Sequence, residues 1–202
     1  MIRAFLAVEL SHSLLAALAI LQQELKRRIE PELKRGARIS WAQPTSVHLT
    51  LKFLGDMDEQ AIEPLRVAIE QAIGRLGPVM VPLERLGTFP RPDSPRVLWA
   101  GPSEQWEKGA EAKRVAEIYG EIEQACEGLS FLRETRPFSP HLTLARIKMG
   151  ERQVGLSLAK SGLLDLPLSL GQLAVDRVVL MQSALQPTGS VYTKLWDVRL
   201  RG

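Results

Sequence analysis

Two of the three histidines in this 202-residue chain occupy the same place in a phrase that the sequence spells twice. Residues 44–51 read Pro44-Thr45-Ser46-Val47-His48-Leu49-Thr50-Leu51, and residues 137–144 read Pro137-Phe138-Ser139-Pro140-His141-Leu142-Thr143-Leu144; aligned without a gap they agree at six of eight positions. On a strand, residues i and i+2 share a face, so His48 projects with Thr50 and His141 with Thr143, while the leucines turn the other way into a core. Each strand thus offers an imidazole and a hydroxyl side by side. A single His-x-Thr needs no explanation beyond the strand preference of threonine. Two copies with the same flanks, 93 residues apart, are harder to attribute to strand propensity.

Two imidazoles and two hydroxyls, with no carboxylate in either motif, match the needs of metal-free cleavage of a phosphodiester. In-line displacement at phosphorus needs a base on the attacking water and an acid on the leaving oxygen, on opposite sides of the phosphate. Histidine titrates near neutral pH and serves in either role. The threonine hydroxyls can hold the non-bridging oxygens, where negative charge builds. A carboxylate there would oppose that charge. The two motifs are too alike for the residues themselves to say which histidine is acid and which is base.

The elements that must position these strands are legible from periodicity. Residues 2–9 suit a strand, and a helix follows a Ser11 or Ser13 cap, with Leu14, Leu18, Leu21, Leu25 and Ile29 on its buried face and Gln22, Gln23, Lys26 and Arg27 on the other. His12 falls at the cap, and Pro31 ends the helix. Residues 38–41 and 47–54 are expected to pair through the Pro44-Thr45-Ser46 turn. A helix over 58–75, beginning nearer Ala61 because of Pro64, buries Ile62, Leu65, Ile69 and Ile73. Strands near 78–84 and 95–101 flank a proline-stiffened loop, and a helix over 103–127 precedes the second motif. A short helix near 151–160 and a hairpin of 173–184 with 191–200, turning at 186–190, complete the chain. Hairpins and an internal repeat favour an α+β fold of two related lobes over a doubly wound parallel sheet.

Composition bounds the setting. With 45% hydrophobic and 24% charged residues the chain can bury a core as one domain spanning residues 1–202. The one cysteine, Cys126, has no partner for a disulfide or a metal site, which favours a reducing cytosolic setting, and it is expected to pack on a helix. No stretch is long and apolar enough to cross a bilayer, and the start does not look like a signal peptide. The net charge of +3 permits an anionic partner, and Lys26, Arg27, Arg28, Lys34, Arg35 and Arg38 face only Glu30 and Glu32 in one local run.

The sequence His48-Leu49-Thr50-Leu51-Lys52-Phe53-Leu54-Gly55, together with Arg136-Pro137-Phe138-Ser139-Pro140-His141-Leu142-Thr143-Leu144-Ala145-Arg146, resembles the paired motifs of the 2H phosphoesterase superfamily. The likeness is greatest to the RNA 2′,3′-cyclic phosphodiesterase branch, also called the 2′-5′ RNA ligase family. It extends to Arg3-Ala4-Phe5-Leu6-Ala7-Val8, to Arg96-Val97-Leu98-Trp99 and to Tyr192-Thr193-Lys194-Leu195-Trp196. The resemblance implies a bilobal α+β fold, two pseudo-symmetric lobes of antiparallel sheet with helices packed outside and a central cleft holding both motifs. It implies opening of RNA 2′,3′-cyclic phosphate ends to 2′-phosphates without a metal or cofactor, and in some members the reverse 2′-5′ joining. By position it makes His48 the proton donor and His141 the proton acceptor, and it assigns phosphate binding to Arg146.

Strand parity disagrees with that last assignment. Lys52, four residues after His48, should share its face as a rim charge or a phosphate contact, whereas Arg146, five after His141, should not. A bulge or strand end after Leu144 would reconcile the two. Phe5 and Phe138 are candidates to stack on a terminal base, with core packing the competing role. Tyr192 and Trp196, evenly spaced on the last strand, are taken as structural. The expected partner is RNA bearing a cyclic phosphate end, bound by a monomeric cytoplasmic enzyme without membrane contact. Two other readings stay open: a phosphodiesterase of small cyclic nucleotides, and an RNA-end binder that does not cleave.

Overall fold

Alternating apolar residues carry the chain into ten strands, which a computed structural model describes over residues 1–33, 36–186 and 189–202. In chain order these are β1 (Ile2–Val8), α1 (His12–Ile29), β2 (Arg38–Trp41), β3 (Leu49–Met57), α2 (Ile62–Ile73), β4 (Val79–Pro82), β5 (Arg85–Phe89), β6 (Val97–Gly101), α3 (Glu104–Glu107), α4 (Ala110–Glu127), β7 (Leu142–Met149), α5 (Glu151–Ser161), β8 (Gln172–Val175), β9 (Arg177–Gln186) and β10 (Gly189–Arg199). Ser11 caps α1, accepting from the Leu14 N–H at 3.3 Å, and α1 ends at Ile29, before Pro31. The helix expected over 103–127 is split at Gly109 into α3 and α4. The strand expected over 173–184 is likewise divided between β8 and β9. Of the expected turn at 186–190, Pro187 and Thr188 lie outside the described residues; β9 and β10 pair on either side of it. Lys34 and Arg35 of the basic run also lie outside them.

Eight strands form one antiparallel path, β10-β9-β1-β3-β7-β6-β5, with β2 added beside β7; β4 and β8 make a separate pair. The triplets β9-β1-β3 and β5-β6-β7 are the cores of the two lobes. The strand β3 meets β7 at one described position, Leu49 opposite Leu142, and then the two diverge. This separates the lobes and opens a cleft. It also corrects the expected pairing of 38–41 with 47–54: β2 pairs with β7 instead, Ser40 opposite Arg146 and Trp41 opposite Ala145, in the place that β3 vacates.

Among the register shifts of the motif strands, one falls at the same place in both. Against β1, the register of β3 steps from Thr50 to Lys52, leaving Leu51 unpaired; against β6, β7 steps from Thr143 to Ala145, leaving Leu144 unpaired. These are β-bulges, and each reverses the alternation beyond it. Leu51 and Lys52 are therefore both buried and Phe53 is exposed, just as Leu144 and Ala145 are buried and Arg146 is exposed.

The helices lie outside the sheet and cross between the lobes. The helix α1 follows β1 yet packs behind β7, where Gln22 donates to the backbone carbonyls of Ala42 and Leu144, both at 2.9 Å. The polar face expected at Gln22 is corrected here, for the residue is 2% exposed. Conversely α4 follows β6 but packs behind β3, where Glu123 receives the Lys52 ammonium at 2.8 and 2.9 Å. The same ammonium donates to the Leu132 carbonyl at 2.8 Å, and Glu123 accepts the Glu134 N–H at 3.0 Å. Cys126 is buried on α4, and burial pushes its thiol pKa up to about 12. No helix among the described residues is long and apolar enough to cross a membrane.

The Lys52–Glu123 pair is sealed from solvent, so removing one partner strands a charge in the core. Lys52→Met is expected to cost roughly 3–5 kcal/mol, lowering Tm by about 6–20 °C. Lys52→Met combined with Glu123→Leu should lose less than Lys52→Met alone. A thermal melt of Lys52→Met that overlays the wild type would refute the role given to this pair.

Candidate active site

The point where β3 touches β7 lies one residue beyond each histidine. Continuing the Leu49–Leu142 register one step either way sets His48 across from Thr143 and Thr50 across from His141. The repeat in sequence becomes a local two-fold arrangement in space. Both rings are held alike: Nδ1 of His48 lies 2.8 Å from the Ser46 carbonyl, and Nδ1 of His141 lies 2.8 Å from the Ser139 carbonyl. A carbonyl only accepts, so each Nδ1 carries a proton and each Nε2 is left for chemistry. The serine of each motif thus contributes its backbone, which is why the phrase begins before the histidine.

A cleft of about 390 Å³ lies on this face. Its lining includes His48, Thr50, Thr143, Arg146 and Arg3, with Phe53, Ser183, Leu185, Ser190 and Tyr192 around the rim and floor, and no acidic residue among the described ones; His141, across from Thr50, is not among these lining residues. Arg146 reaches the cleft because the Leu144 bulge reverses parity; the bulge falls at that leucine itself. The matching bulge at Leu51 sends Lys52 into the core, which corrects its expected position beside His48. Phe53, five residues after His48 as Arg146 is after His141, takes the exposed cleft position at 69% exposure.

The aromatic assignments also change. Phe5 lines the cleft floor but is 3% exposed, its ring stacked on His48 at 4.7 Å, so its face is already occupied by the imidazole. Tyr192 meets both rings edge-on, at 5.1 Å from Phe5 and 5.2 Å from His48. Phe138 is absent from the cleft lining; it stacks on Tyr119 at 4.4 Å, beside a separate hollow with Trp106. His141 is flanked by Phe89 at 5.0 Å and Trp99 at 6.3 Å. Gly87 makes room for that indole, since a Cβ there would fall 2.1 Å from the Trp99 ring.

Tyr192 and Trp196 are separated by a bulge in β10. The register of β10 on β9 shifts between Lys194 and Trp196, so Trp196 turns to the core, donating to the Ile62 carbonyl at 3.1 Å, while Tyr192 faces the cleft. Even spacing in sequence concealed this. Phe53 had a signal in its spacing, which repeats that of Arg146. Tyr192 had only its place in the Tyr192–Trp196 stretch of the family resemblance, and Ser183 and Ser190 had none, because all three reach the site through the β10-β9-β1 order.

Burial lowers the pKa of both histidines below the ordinary value, the backbone hydrogen bond opposes that shift, and the positive charge of Arg146 reinforces it. Each imidazole is therefore biased toward its neutral form until an anion arrives. Among the described residues no group of three or more His, Cys, Asp or Glu side chains is clustered to hold a metal ion.

The profile of LigT-like phosphoesterases matches residues 14–99 and 108–192, one segment per motif. The RNA 2′,3′-cyclic phosphodiesterase of Aquifex aeolicus is 32% identical over 181 residues, 89% of this chain and 91% of the relative. The protein of that name from Thermus thermophilus is 34% identical over 79% of this chain and 74% of its own length. The crystal structure of TT0787 of Thermus thermophilus superposes with a TM-score of 0.71 at 29% identity, covering 99% of this chain and 98% of that one. A chain with paired His-x-Thr strands, two lobes of antiparallel sheet and these relatives belongs to the LigT-like phosphoesterases of the 2H superfamily.

Proposed function

We propose that this protein hydrolyses RNA 2′,3′-cyclic phosphate ends to 2′-phosphates, acting as a single cytosolic domain and a monomer. The observation that carries the reading is the pair of histidines, each tethered through Nδ1 to a serine carbonyl and each across from a threonine, beside a cleft whose described lining holds two arginines and no acid. The relatives named as RNA 2′,3′-cyclic phosphodiesterases support the substrate class.

In this mechanism Nε2 of neutral His141 takes a proton from water as its oxygen attacks phosphorus. The P–O3′ bond breaks in line, and His48, entering as imidazolium, gives its Nε2 proton to the departing O3′. The phosphate stays on O2′, and proton exchange with solvent resets the pair. Thr50, Thr143 and Arg146 hold the non-bridging oxygens, where negative charge grows. A 5′-hydroxyl in place of water runs the same step to a 2′-5′ linkage, which accounts for ligation without further residues. The incoming phosphate anion raises the histidine pKa values, supplying the imidazolium that the empty cleft disfavours.

A cleft of about 390 Å³ lies within the range of small-ligand sites, and this favours a second substrate reading, a mononucleotide cyclic phosphate. On either reading Phe53 is the exposed ring placed to stack on the terminal base, in place of Phe5 and Phe138.

His48→Ala and His141→Ala should each lower turnover by roughly 10²- to 10⁴-fold with the circular-dichroism spectrum unchanged. Chromatography of the product from an RNA ending in a 2′,3′-cyclic phosphate should show a 2′-phosphate; binding without product would favour the non-catalytic reading. Rates on that RNA and on a mononucleotide cyclic phosphate decide between the substrates.

The pH profile follows from burial of the two imidazoles and from Arg146 on β7, the charge that acts on both. The ratio kcat/KM falls at high pH as His48 loses its proton and at low pH as His141 gains one. With both pKa values lowered, the maximum is expected on the acidic side of about pH 6.5. Arg146→Gln removes a charge that disfavours imidazolium, so both limbs move to higher pH while activity falls about 10²-fold. A flat profile between pH 5 and 8 would be incompatible with a histidine pair. Phe53→Ala should raise KM roughly 5- to 150-fold, the equivalent of ~1–3 kcal/mol of stacking, with melting unchanged.

A further inference from the structure

Arg146 is useful only because β7 carries an extra residue at Leu144, and something must hold the strand in that irregular form. A bulge interrupts the ladder and leaves backbone groups without their regular partners. Here the Leu144 carbonyl accepts the Ala42 N–H at 2.9 Å, and the second occupant of that oxygen comes from outside the sheet. It is the Gln22 side chain, whose two amide hydrogens go to Leu144 and to Ala42, each at 2.9 Å. Both partners are carbonyl oxygens, so only the nitrogen end of the amide fits. Gln22 is one of the few polar residues buried in the protein, at 2% exposure in the middle of an otherwise apolar helix face.

We propose that Gln22 is a positioning residue of the active site: by fastening the Leu144 bulge to the segment after β2, it turns Arg146 into the cleft. The helix that begins beside the first lobe thereby sets the phosphate-binding residue of the second. An apolar residue of similar length at position 22 would leave the Ala42 carbonyl without a donor and Leu144 with one partner fewer. The strand is then free to slip toward regular alternation. In a regular strand the side chain of residue 146 lies on the face opposite His141, as simple parity from position 141 requires. At the other motif the Lys52–Glu123 pair occupies the matching place behind the Leu51 bulge, so each motif strand is held from behind by a buried polar group on a helix of the opposite half.

The part of this inference that concerns turnover rests on the function proposed above, so its test has one readout with turnover and one without. Gln22→Met should lower kcat/KM on a mononucleotide 2′,3′-cyclic phosphate by about 10- to 100-fold, mostly through Arg146. The pH profile should shift upward as in Arg146→Gln, and the double variant should be no worse than Arg146→Gln within about threefold, since two changes acting through one group do not multiply. NMR titration of the two histidine Cε1–H signals should show both pKa values rising in Gln22→Met, a result that needs no turnover. Should Gln22→Met fail to fold, Gln22→Glu keeps the shape and, protonated, one donor, and takes its place in the same comparison. Histidine titrations unchanged from the wild type, or a loss that multiplies with that of Arg146→Gln, would overturn the inference and leave Gln22 a core residue only. A wild type that hydrolyses no cyclic phosphate would overturn the proposed function, with the titration still deciding the role of Gln22.

Discussion

The active-site face depends on one constraint of extended chains, that neighbouring side chains point to opposite faces. A regular strand cannot present His48, Thr50 and Phe53 together, nor His141, Thr143 and Arg146, because the third member has the wrong parity. One inserted residue in each strand removes the conflict. It puts two consecutive residues into the core, Leu51 with Lys52 and Leu144 with Ala145, and brings the fifth residue after each histidine back to the cleft. The same device on β10 sends Tyr192 to the site and Trp196 to the core.

Bulges disturb the ladder, and the protein answers with polar groups in places where apolar ones are usual. Gln22 and the Lys52–Glu123 pair are buried, hydrogen-bonded and located behind the two motif strands. Burying a charge pair in this way contributes little net stability. Its value lies in what it specifies, because Glu123 and Lys52 also grip the Leu132 carbonyl and the Glu134 N–H in the segment that leads to the second motif. The two halves of the site are thereby tied to each other through their supports as well as through Leu49 and Leu142.

The cleft's electrostatics follow from burial and the arginines together. Phe5, Tyr192, Phe89 and Trp99 crowd the histidines with apolar surface, which disfavours their charged form, and Arg146 acts in the same direction. A phosphate anion reverses that balance. Under the proposed function, the site acquires its acid only when the phosphate arrives. The arms are asymmetric, with Phe53 on one and Arg146 on the other, and under the proposed function they divide the labour of holding a nucleotide between its base and its phosphate.

Much of this was legible before any coordinates. The twin His-x-Thr phrases, the antiparallel α+β lobes, the Ser11 cap and the faces built from Leu14, Leu18, Leu65 and Ile69 are local or periodic features, and local patterns survive folding. The partner of β2, the burial of Gln22 and Lys52, the arrival of Tyr192 and the facing of Arg146 were not. Each depends on a register between strands distant in the chain, and a shift of one residue reverses every side chain beyond it. The sequence by itself determined which groups stand together on each motif strand, since an imidazole and a hydroxyl two residues apart share a face in any strand. Only the tertiary structure decided which charge stands beside them, because that depends on where the strand holds one residue too many.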